Sequence, residues 1–200
     1  MKNLKLFILL GLGLTSFVAV DLFAITQEEF NMTVEQFRQA FDRETIQGAK
    51  NPNVADTIKS INKISPTTYH ASLKDDGFNS MVKGWKVLNL ANGKFILKEK
   101  FIFRVGSSGL ISNIELSSSR ADMNLFHFMD TFANTVKVFN PQFTEKDIQE
   151  LVKDVGLMRG DNDPTIGESM NSFTRGVAIE CLSQPSNVSS TIVCKFYPRS

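Results

Sequence analysis

The chain has 200 residues, with 22 basic and 21 acidic side chains, two histidines and two cysteines. A formal net charge of +1 gives no basic footprint for nucleic acid. Two cysteines and two histidines are a poor supply of ligands for a tetrahedral zinc site, and a hydrophobic content of 42% excludes a disordered chain.

The first residues have the pattern of a secretory signal over 1–24. Lys2 and Lys5 supply the positive start. The uncharged run from Leu6 to Val20 has the length of a signal h-region and is short of a membrane span, and Ala24 is a small residue at the cleavage position. Cleavage there removes Lys2, Lys5 and Asp21 and leaves a mature chain with equal numbers of acids and bases. The remainder, 25–200, is expected to form one domain with no stable membrane insertion after cleavage.

Thr33-Val-Glu-Gln36 is a capping box, and Phe37, Ala40 and Phe41 repeat behind it at helical spacing. Val54, Ile58 and Ile61 have the spacing of a second, weaker helix that ends before Pro66. A strand is expected near Thr67 to Leu73.

A three-stranded meander is expected over 81–117. Asn92-Gly93 supplies the two positive φ values of a two-residue hairpin turn. That turn places Leu88 opposite Leu97 and Lys86 opposite Glu99. The next turn, Gly106-Ser-Ser-Gly109, places Val105 opposite Leu110, Phe101 opposite Ile114 and Lys100 opposite Glu115. Both registers send Phe101, Phe103, Val105, Leu110, Ile114 and Leu116 to one face. Lys83, Trp85, Lys98, Lys100 and Arg104 go to the other. Glu99 and Lys86 are exceptions on the apolar face, which a β-bulge or a cross-strand pair would accommodate.

Ala121 to Val138 places Leu125, Phe128, Met129, Phe132, Ala133 and Val136 on one helical stripe, stopped by Asn140-Pro141. Thr144-Glu-Lys-Asp147 caps another helix, with Ile148, Leu151, Val152 and Val155 inward and Gly156 at its end. Finally, Cys181 and Cys194 flank a polar loop between two apolar runs. A disulfide between them makes 176–197 a stapled hairpin, with Glu180 opposite Lys195, Ile179 opposite Phe196 and Leu182 opposite Val193. Such a bridge closes a loop of about 14 residues and contributes about 3 kcal/mol. It fits an exported protein, periplasmic or extracellular.

Strands grouped apart from helices describe an α+β domain, an antiparallel sheet covered by one layer of helices. The site chemistry is sparse. His70, with Asp75-Asp76 shortly after it, is the one place for a hydrolase, and no G-x-S-x-G elbow accompanies it. His127 is expected as a partly exposed residue at a helix margin. Asp161 and Asp163 begin like a calcium loop, but Ile166 and Ser172 stand where glycine and glutamate are needed. No catalytic residue, metal ligand or cofactor is assigned. The expected function is that of a non-catalytic exported module, inhibitor-like, immunity-like or an envelope accessory, that binds a protein partner and no nucleic acid. Its candidate surface is Trp85 with a basic rim of Lys83, Lys98, Lys100 and Arg104. The alternative is a carrier holding a small apolar ligand between helices and sheet.

Overall fold

A computed structural model of the chain describes residues 29–49, 51–74, 100–119, 122–157, 169–174, 176–184 and 191–199. The signal segment, the Asn92-Gly93 hairpin with the Lys86 and Glu99 pair, and the loops carrying Asp161, Asp163 and Ile166 lie outside these residues.

The first helix, α1, runs Val34–Gly48. Its capping box is formed as expected. Thr33 N–H donates to Gln36 Oε1 at 2.8 Å, and Gln36 N–H donates to Thr33 Oγ1 at 3.3 Å. A 3-10 turn at Pro52–Val54 then leads into strand β1, Ile58–Ser65. The helix expected around Val54, Ile58 and Ile61 is therefore absent. A bulge explains the helical spacing. The register shifts between Ile58 and Ser60, so Ile58 faces Leu73 and Ile61 faces Ala71, both on the buried side. In an unbroken strand, residues three apart would point to opposite faces.

Strand β2 is Thr68–Leu73, β3 is Lys100–Val105 and β4 is Ile111–Ser119. Phe101 faces Leu116 and Lys100 faces Ser117, a register two residues away from the expected one. The shift accumulates in two single steps. The turn takes in Leu110 as well, so Val105 faces Ile111, and Ser112 is then bulged, so Arg104 faces Asn113. Gly109 holds a φ of 82° at this turn, a conformation that costs other residues about 1–2 kcal/mol. A shift of two preserves the faces. Phe101, Phe103, Val105, Ile114 and Leu116 are buried as expected, but Ile111, fully buried, takes the place assigned to Leu110, which is half-exposed.

The helices α2, Asp122–Phe139, and α3, Glu145–Asp154, follow. Thr144 and Asp147 form the second capping box, and the bonds from Thr144 hold the Asp147 carboxyl below its ordinary pKa. Strand β5, Ser169–Thr174, had no strong apolar alternation to announce it. Strands β6, Val177–Gln184, and β7, Thr191–Pro198, make the stapled hairpin in the expected register. Cys181 and Cys194 are directly opposite, bridged and fully buried.

All strand pairs are antiparallel, in the order β1-β2-β3-β4-β7-β6-β5. The fold is α+β. Each half of the chain is helical first and a meander second, and the last strands of the two meanders, β4 and β7, meet at the centre. The helices follow the same plan. In the first half, Phe37 and Phe41 of α1 lie edge-on against Phe101 of β3, at 5.8 and 5.3 Å between centroids. In the second, Phe132 of α2 lies 5.5 Å from Phe196 of β7. Helices α1 and α2 also pack on each other, with Asn134 Nδ2 donating to Thr45 Oγ1 at 3.4 Å. The core is one cluster in which aromatic rings fill the space between helices and sheet, each pair adding about 0.5–1.5 kcal/mol to its area burial.

Candidate binding face

The period-two alternation of β3 separates two sets of side chains. Phe101, Phe103 and Val105 point into the core, while Lys100 and Arg104 are exposed on the opposite face with Ile102 half-buried between them. Of the five residues expected to form the binding surface, these two are described. Lys83, Trp85 and Lys98 lie outside the described residues.

Strand register sets the neighbours of the pair. Lys100 lies between Ser72 and Ser117, and Arg104 between Thr68 and Asn113. Between them runs a row that crosses every strand: Asn62, His70, Ile102, Glu115, Lys195, Glu180 and Asn171. On the far side of the centre the row alternates in charge, with Lys195 opposite both Glu115 and Glu180. Such opposite-charge neighbours support one another across strands. Tyr197 Oη donates to Glu180 Oε2 at 3.5 Å. Desolvation, followed by the Glu180 charge, raises the Tyr197 phenol above its ordinary pKa. On the near side the pattern changes. Strands β1, β2 and β3 contain no carboxylate; Lys100 and Arg104 stand on this face, while Lys63 shares the opposite face with Ile61 and Tyr69.

His70 sits in that row, exposed to solvent. Its cross-strand neighbours are Asn62 and Ile102, neither of them a carboxylate. Asp75 and Asp76 lie outside the described residues.

The other histidine differs from expectation. His127 is buried, at 6% exposure, and its Nε2 lies 3.1 Å from Asp56 Oδ2. The helix margin that its sequence neighbours implied is covered by the connection between α1 and β1, which brings Asp56 onto α2. Asp130 lies one turn further along α2, where its charge and those of His127 and Asp56 act on one another. Desolvation raises the Asp130 carboxyl above its ordinary pKa, with His127 pulling it down and Asp56 pushing it up. The spacing His127 to Asp130 was the one sequence signal for this arrangement, since Asp56 reaches it only through the tertiary fold. Among the described residues, no group of three or more His, Cys, Asp or Glu side chains is placed to hold a metal ion.

Among the described residues no helix is long and apolar enough to cross a membrane, and the bridged cysteines fit a non-reducing, exported environment. No protein-family model, curated protein or solved structure matches this chain.

Proposed function

We propose that the chain is a non-catalytic exported module, periplasmic or secreted, that binds another macromolecule through the sheet face carrying Lys100 and Arg104. Inhibitor-like, immunity-like and envelope accessory roles belong to this class. The observation that carries the reading is the position of these two cations. They stand exposed on one strand, on either side of the row that holds His70 and Ile102, in a three-stranded stretch that contains no acid. Charged residues on a rigid sheet set the register and selectivity of a partner more than its raw affinity. The neutral balance of the chain with residues 1–24 removed makes that recognition local rather than long-range.

The test is capture of partners from an envelope extract by the disulfide-bonded protein and by a Lys100→Glu, Arg104→Glu variant. Both side chains are exposed, so the variant should keep its melting temperature within the range of ordinary surface changes. Loss of a specific protein partner in the variant supports the face. Equal capture by both proteins refutes it.

A further inference from the structure

We propose that the outer edge of β1 takes up an extended, acidic segment of a partner polypeptide as an added strand. This goes beyond the face reading, because strand addition uses the backbone of β1 rather than the side chains of Lys100 and Arg104.

Three observations lead to this occupant. First, β1 ends the sheet among the described residues. An end strand offers a row of backbone N–H and C=O groups to another chain. The bulges flank a regular stretch from Ser60 to Lys63, long enough to start a ladder. Ile64 beside it is 58% exposed. Second, a groove of about 330 Å³ lies on the helix side of β1, lined by Val34, Glu35, Ile61, Tyr69 and Val105 among others. Glu35 faces Arg38 at 3.8 Å. An added strand sends alternate side chains to the two faces of the sheet, so its apolar side chains on the helix side would meet this groove, and a carboxylate on the same side would meet Lys63, which shares the face of Ile61 and Tyr69. Third, the edge is basic. Lys59, Lys63 and Lys74 are exposed and no carboxylate occurs from Ile58 to Lys74. The Lys63 ammonium stands 5.6 Å from the centre of the Tyr69 ring, which holds its charge at the edge.

Together these features describe strand addition, in which main-chain bonds supply affinity and side-chain pockets supply selectivity. A polyanion without a peptide backbone would satisfy the lysines but neither the ladder nor the groove.

The test uses the disulfide-bonded protein, labelled with nitrogen-15, and an alternating peptide of glutamate and valine. The expected result is saturable binding, with slowed amide exchange at Ser60–Lys63. A Lys59→Glu, Lys63→Glu variant should bind about tenfold more weakly. The matching lysine–valine peptide should not bind. No binding of the acidic peptide overturns the proposal. So does binding that leaves the β1 amides unprotected, or equal binding of a heparin oligosaccharide or of anionic vesicles. The Lys100→Glu, Arg104→Glu variant separates the two readings. If it loses its extract partner but keeps peptide protection at β1, the edge stands apart from the face. If β1 protection fails while the extract partner is kept by the wild type alone, the face survives and the edge does not.

Discussion

His127 Nε2 on α2 meets Asp56 Oδ2 at 3.1 Å, and this contact ties the connection between α1 and β1 to the second half of the chain. The imidazole is buried, so the carboxylate that meets it is costly to remove. Asp56→Ala should lower stability by about 1–3 kcal/mol in urea unfolding. Asp56→Asn, which keeps an oxygen in place, should lose less. An alanine variant as stable as the wild type would show that the contact contributes nothing.

Asp130 gives a pH dependence with a defined sign. Its folded-state pKa is raised above 3.8, chiefly by desolvation. The unfolded chain therefore releases this proton at lower pH than the folded protein does. Stability from this group is full below 3.8 and is lost as pH rises through the folded value. Asp130→Asn should be more stable than the wild type at neutral pH, and the gain should shrink on acidification. Melting curves across the acid range would show it, and a gain that grows on acidification would contradict the assignment.

Asp42 anchors the start of β1. Its Oδ1 accepts from Ile58 N–H at 2.7 Å, next to a side chain that is 1% exposed. Desolvation nevertheless holds the carboxyl above its usual pKa, ahead of the lowering by that bond and by Arg38. Asp42→Ala leaves a backbone donor unsatisfied and should cost about 1–3 kcal/mol. Asp42→Asn keeps the acceptor and sheds the charge, so it should unfold close to the wild-type denaturant midpoint. If both variants lose the same stability, the bond to Ile58 is not what matters.

The Cys181–Cys194 bridge closes a sequence separation of 13 residues. In the chain-entropy account it contributes about 3 kcal/mol. Both sulfurs are buried, so a reductant should act mainly on opened molecules. Cys181→Ala, Cys194→Ala should unfold at a lower urea concentration by about that amount. A folded protein whose bridge is reduced as fast as that of an unfolded chain would contradict the buried position.

The sequence was legible wherever a local rule decided the structure. Both capping boxes depend on residues three apart. The stapled hairpin depends on one covalent distance and on matched neighbours, Glu180 with Lys195 and Ile179 with Phe196. The misses share a cause. In β1 the pair Ile58 and Ile61, and in β4 the pair Ile111 and Ile114, are three residues apart yet lie on one face. Each spacing contains a bulge, and a bulge imitates helical periodicity. The first therefore read as a helix, and the second, added to the longer turn that takes in Leu110, completed a register displacement of two. Because that displacement was even, Lys100 and Arg104 still came out on the predicted face. The Asp56–His127 contact could not be read, since its partners are distant in sequence and only the packed fold brings them together.

The meeting of β4 and β7 at the centre of the sheet also bears on the order of assembly. The ladders β1–β2, β5–β6 and β6–β7 join strands close together in sequence. The central ladder joins residues as distant as Ile114 and Phe196, and the entropy of closing so long a loop precedes any return from its bonds. The hairpins should therefore form early and the centre of the sheet late. Both cysteines belong to the second half, so the disulfide should favour early closure of that half's hairpin alone. The rate-limiting event should then be the docking of two preformed meanders along β4 and β7, with α1 settling against α2.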